Sequence, residues 1–105
     1  MARSPASTRE TSNPRAEVVQ AAYRAAAEYV VAPYAELVTG GRLPTAVRAR
    51  HIAWRALREE LHWSQVEIGL GAGYDSSTVS TGVRGVQDMA AVAHVRTEIR
   101  KWLGR

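Results

Sequence analysis

The sequence predicts an all-α protein, a bundle of five to six helices containing a helix-turn-helix at about residues 64–86. Three observations predict it. Apolar residues recur at helical spacing through residues 18–37, 47–61 and 89–103. No segment alternates polar and apolar residues with the period of a strand. Residues that start and stop helices stand at the breaks between these runs.

Taken in order, residues 1–12 are rich in Ser, Thr, Arg and Pro and almost lack large apolar side chains. They cannot repay their ordering entropy and are expected to form a disordered basic arm; residues 13–105 form a single helical domain. Asn13-Pro14 reads as an N-cap followed by the first helical position. Val18, Ala22, Ala25, Ala26, Tyr29, Val30 and Leu37 make the apolar face. Pro33 lacks an amide hydrogen and splits the helix near Val31-Ala32, and Gly40-Gly41 ends it. A second helix runs over about 45–62, burying Val47, Ala49, Ala53, Trp54, Leu57 and Leu61, with Arg48, His51, Arg55, Arg58 and His62 on the opposite surface.

Ser64-Gln65-Val66-Glu67 is a capping box, with Trp63 before it as a hydrophobic staple. It opens a short helix that depends on packing through Val66, Ile68 and Leu70. After a glycine-bearing turn, Asp75 or Ser76 caps a helix whose Val79, Val83 and Val86 face inward. A last helix over about 87–103 buries Met89, Val92, Val95, Ile99 and Trp102 or Leu103.

Composition narrows the function. The net charge is +4, carried by thirteen Arg and one Lys, and no cysteine is present. Disulfides, thiolate zinc sites and cysteine catalysis are therefore excluded. No apolar run reaches the length of a membrane span, and the first residues lack a signal peptide's apolar stretch, so a cytoplasmic protein is expected. His51, His62 and His94 stand in separate segments without metal-site spacing, so neither an enzyme, a metal nor a cofactor is expected. From Arg42 to Arg58 there are five arginines and no acid. A local basic block in a small domain points to nucleic acid.

The glycines at 69, 71 and 73 admit two explanations. A dinucleotide loop needs a preceding strand, and a nucleotide P-loop needs Gly-Lys-Ser/Thr; neither is here. The alternative is a helix-turn-helix whose second helix presents Ser76, Ser77, Thr78, Thr81 and Arg84 to the major groove.

At this point the chain resembles a known family. R-H-I-A at 50–53, E-E-L at 59–61, S-Q-V-E-I-G at 64–69, Y-D-S-S-T-V at 74–79 and V-R-G-V at 83–86 look like the C-terminal DNA-binding domain of the bacterial replication initiator DnaA, which is Trp-repressor-like. The resemblance implies phosphate contacts at Arg50, His51 and Arg58 and a minor-groove contact at Arg42. It further implies base reading by Asp75, Ser76, Ser77 and Thr78, with Thr81 one turn later. Arg48 and Arg55 on the same outer face, Gln65 at the start of the short helix and Arg84 join the expected backbone contacts. The chain departs from the pattern at Tyr74, Ser76 and Gly85, where the family has Arg, His and a basic residue, so the initiator's own site is not assumed. These residues carry no nucleotide-hydrolysing domain.

The expected function is sequence-specific binding of double-stranded DNA, as a nucleoid-associated or phage-encoded regulator of transcription or replication without ATPase activity. One alternative is a protein-interaction module on a degenerate helix-turn-helix, forming a homodimer or docking a partner through the N-terminal helix. Another is a domain like the promoter-reading part of sigma factors, which shares the Q-x-E-I and S-T-V pattern.

Overall fold

The computed structural model describes residues 13–105; the arm expected over residues 1–12 lies outside them. Six helices follow one another: α1 Pro14–Val30, α2 Tyr34–Thr39, α3 Pro44–Leu61, α4 Gln65–Ala72, α5 Ser76–Arg84 and α6 Met89–Trp102. No strand occurs among the described residues, so the protein is all-α.

The first breaks fall where the sequence places them. The Asn13 side chain accepts from the Arg15 amide at 3.0 Å, and Pro14 opens α1. The helix stops at Val31, which adopts a left-handed conformation with φ 59°, and Pro33 starts α2. Gly40, at φ 80°, closes α2 in the backbone region that glycine enters most easily.

Helix α3 is the hub, because it touches all five other helices. A helix contacted from so many directions buries more than one stripe. Ala46, Ala49, Ile52, Ala53, Trp54, Ala56 and Leu57 are all buried. Its alanines meet a helix, α1, that buries Ala22, Ala25, Ala26 and Ala27; short side chains let two axes approach closely. At the centre, the Trp54 Nε1 donates to the Tyr23 hydroxyl at 3.0 Å, so the buried indole keeps a partner. Burial pushes the Tyr23 phenol above its usual range, so it stays protonated.

Helix α6 packs on α1 and α3 through Ala91, Val92, Val95 and Ile99. A charged clamp borders that contact: Glu60 accepts from Arg96 Nε at 3.0 Å and from Arg100 Nη1 at 2.6 Å, and Glu59 from Arg96 Nη1 at 3.3 Å. Burial opposes ionisation of Glu60, but the two guanidiniums outweigh it and hold its carboxyl below the usual range.

Several expected core residues lie outside. Met89, Trp102 and Tyr29 are exposed, the last with its ring 5.2 Å from that of His94. Val66 and Leu70 are exposed as well. Among the described residues no helix is long and apolar enough to cross a membrane.

Candidate nucleic-acid interface

Helix α4 begins with the expected capping box. Ser64 Oγ accepts from the Glu67 amide at 3.1 Å, and Glu67 Oε1 accepts from the Ser64 amide at 2.9 Å. Trp63, just before the cap, is half-buried against the core. At the other end, the amides of Gly73 and Tyr74 both donate to the Gly69 carbonyl, at 2.8 and 3.1 Å. This turn doubles back so tightly that a Cβ on Gly69 would lie 2.3 Å from the Tyr74 carbonyl oxygen, and Gly73 takes φ +81°. Glycine is required at both places. The Tyr74 ring then packs edge-on against Trp54, 5.0 Å away, so this residue faces inward where the resembling family has an arginine.

The turn delivers α5. Asp75 caps it, its Oδ1 accepting from the Thr78 amide at 2.8 Å and from Ser77 Oγ at 3.1 Å. The Thr78 hydroxyl and amide, followed by the Ser77 hydroxyl, hold the Asp75 carboxyl below the usual carboxylate range. Val79, Gly82 and Val83 are buried. Among the described residues α5 touches only α3 and α4. Its opposite face is therefore unpartnered, and Ser76, Ser77, Thr78, Thr81 and Arg84 are all exposed. Ser80, which the sequence does not single out, belongs with them, since Arg84 Nη1 donates to its Oγ. The i, i+4 spacing of the two was the signal for it.

Beside α5 runs the outer stripe of α3. Arg48 and Arg58 are exposed and form no ion pair among the described residues. Between the helices, His51, Ser77, Thr78 and Thr81 border one shallow cleft, with Gly82 beneath. A Cβ on Gly82 would stand 2.7 Å from His51 Cδ2 and 2.9 Å from Trp54 Cζ3, so that glycine sets how closely α5 lies on α3. Burial, and then the Arg50 charge, lower the His51 pKa, leaving the ring neutral at pH 7.

No protein-family model matches this chain, and no curated protein or solved structure matches it.

Two expected contacts are spent elsewhere. Arg50, assigned to phosphate by the resemblance, is only 5 % exposed. Its Nη1 donates to the Glu36 carbonyl at 2.9 Å and its Nη2 to that of Gly41 at 2.6 Å. It caps α2 from the side, and its donors are turned into the protein. Arg55 is half-buried, paired with Glu59 and donating to the Val83 carbonyl at 3.3 Å, so it ties α3 to the end of α5. Asp75 caps α5 and stays exposed. The remaining residues stay accessible: Arg42 is exposed in the loop before α3, and Gln65 is half-buried at the first position of α4.

Apart from Asp75, the acids near this surface are held in pairs. Glu59 and Glu60 are held by Arg55, Arg96 and Arg100, while Glu67 is held by the Ser64 amide and lies 3.7 Å from Arg15. What remains is a face of hydroxyls on α5 and, on α3, Arg48 and Arg58 without ion pairs among the described residues.

Proposed function

We propose that this chain is a sequence-specific double-stranded DNA-binding protein whose α4–turn–α5 unit is a helix-turn-helix, with α5 in the major groove. One observation carries the proposal. Helix α5 packs by a single face of Val79, Gly82 and Val83 and turns a row of Ser, Thr and Arg side chains outward, with His51 of α3 in the adjoining cleft and Arg48 and Arg58 exposed elsewhere on α3. Hydroxyls read base edges, and a threonine methyl packs on a thymine methyl. Guanidiniums on the flanking helix neutralise phosphates and set the register. The length of α5, two turns and a half, matches a helix that enters a groove by its N-terminal end. Arg42 is exposed in the adjoining loop, which supports its entering a minor groove whose potential is deepened in A·T-rich sequence. Acting as a regulator of transcription or replication is the role such binding serves.

The test is selection from random duplexes followed by affinity measurements over a range of salt. A single preferred sequence with a steep salt slope is the expected result. Binding that ignores sequence at every salt concentration refutes the proposal.

A second reading has its own observation. Tyr29 is 43 % exposed, Val31 86 % and Trp102 47 %, all on α1 and α6 or at their ends, away from α5. Such a face suits a protein partner, either as a separate role or as the contact that pairs two copies on one site. Sedimentation of the protein with and without DNA distinguishes these.

A further inference from the structure

The exposed pair on α4 has no role in the core. Val66 is 58 % exposed and Leu70 62 %, on a helix whose buried positions are Ile68 and Gly69. Together with Asp75 and Ser76 they wall a depression of about 420 Å³ at the start of α5. Its floor is bare, because Gly69 and Gly73 contribute no side chain, and nothing lies within 4 Å of where a Cβ on Gly73 would stand.

The chemistry of the lining selects an occupant. Among the described residues no cation lines the depression and Asp75 is its one charged group, so a phosphate is repelled. Two aliphatic side chains call instead for a small apolar group. The Asp75 carboxylate accepts from Ser77 Oγ and the Thr78 amide on Oδ1 and is also held by the Thr78 hydroxyl, while a carboxylate has room for about four such bonds. It can therefore take one more donor beside that apolar group. On a base edge in the major groove, a methyl next to a donor occurs when cytosine carries a C5-methyl beside its N4 amino group. Thymine has the same methyl next to an O4 acceptor, which a carboxylate repels.

We propose that the depression formed by Val66, Leu70, Asp75 and Ser76 recognises 5-methylcytosine in the major groove. The inference rests on the DNA-binding reading and deepens it. The side chains of α5 supply most of the sequence preference, and the α4 edge adds sensitivity to one methyl group.

The test uses parallel selections from duplex libraries made with cytosine or with 5-methylcytosine. The preferred duplex is then resynthesised with cytosine, 5-methylcytosine, thymine or uracil at each pyrimidine. At one position 5-methylcytosine is expected to bind about fourfold tighter than cytosine, the factor for burying one methyl. Thymine at that position is expected to bind more weakly than 5-methylcytosine. Val66→Ser and Leu70→Ser, checked by melting to be folded, bring the methyl ratio towards one. Asp75→Asn keeps a good cap and narrows the difference between thymine and 5-methylcytosine. Equal binding of cytosine and 5-methylcytosine at every position, on a duplex that is otherwise bound specifically, overturns the inference while leaving the DNA-binding reading intact. Thymine equal to 5-methylcytosine overturns it too, by assigning the methyl to thymine. Loss of all specific binding in the unaltered protein overturns both.

Discussion

Replacing Arg50 with alanine separates a structural arginine from the neighbours proposed to contact DNA. The guanidinium makes two good hydrogen bonds, to the carbonyls of Glu36 and Gly41, and a third at 3.5 Å to that of Leu37. A hydrogen bond to a charged group contributes about 1.5–3 kcal/mol, so the two short ones total about 3–6 kcal/mol. Part of this is recovered, since the variant no longer buries a charge and water can reach the loop carbonyls, which leaves a loss of about 3 kcal/mol. For a domain of this size each kcal/mol moves Tm by about 4–8 °C. Arg50→Ala should therefore melt on the order of 15 °C lower, as followed by circular dichroism, and its urea midpoint should fall in step. At temperatures where the variant is folded, the salt dependence of DNA binding should be unchanged. A variant that melts within a degree or two of the parent but shows a flatter salt slope would place Arg50 on phosphate and refute the capping role.

Three further outcomes are expected. Arg48→Ala and Arg58→Ala should each leave Tm nearly unaltered and flatten the salt slope of DNA binding by about one unit, measured by fluorescence anisotropy from low to moderate salt. Free His51 has a lowered pKa, and a nearby phosphate favours its charged form. DNA binding should therefore take up a proton and tighten as pH falls below about 6.5, an effect absent in His51→Gln and measurable by calorimetry in buffers of different ionisation enthalpy. The same lowered value means that the protein without DNA loses stability as pH drops through that range, because the unfolded state binds the proton more readily. Val31→Gly should raise stability by about 1 kcal/mol in thermal melts, since a β-branched residue at φ 59° carries the left-handed penalty that glycine escapes.

What the sequence made legible was governed by local chemistry. Asn13-Pro14, Ser64 through Glu67 and Gly40 act on backbone atoms a few residues away, and each sits where local rules put it. The split at Val31 follows from Pro33 alone. The outward row on α5 was equally readable, because Val79 and Val83 stand four residues apart on one inward face; Gly82, buried beside them, carried no such signal.

The errors arose where the neighbouring element decides. Val66, Ile68 and Leu70 stand at i, i+2 and i+4, so in a helix Ile68 points away from the other two. Only one set can be buried, and a helix of eight residues is too short for periodicity to show which. Arg50 differs from its basic neighbours because the end of α2 and the loop after it lie across its side of α3 and leave carbonyls in need of a donor. Nothing in the spacing of arginines along α3 marks which of them meets that end. Tyr29 and Trp102 were assigned to the core on hydrophobicity, yet Ala, Val and Ile already fill the joint between α1, α3 and α6.

The confinement of α5 to two neighbours has an evolutionary consequence. Ser76, Thr81 and Arg84 are exposed, and among the described residues α5 makes no contact with α1 or α6. Surface substitutions away from caps and cores usually change stability by no more than about 0.5 kcal/mol. Ser76, Ser80, Thr81 and Arg84 can therefore be exchanged one at a time without first acquiring a compensating change elsewhere. The glycines that hold α5 in place are under the opposite constraint: Gly69 cannot accept even one carbon beside the Tyr74 carbonyl, nor Gly82 beside His51 and Trp54. Descendants of this protein can therefore vary the outward side chains of α5 quickly while the angle at which that helix is presented stays the same.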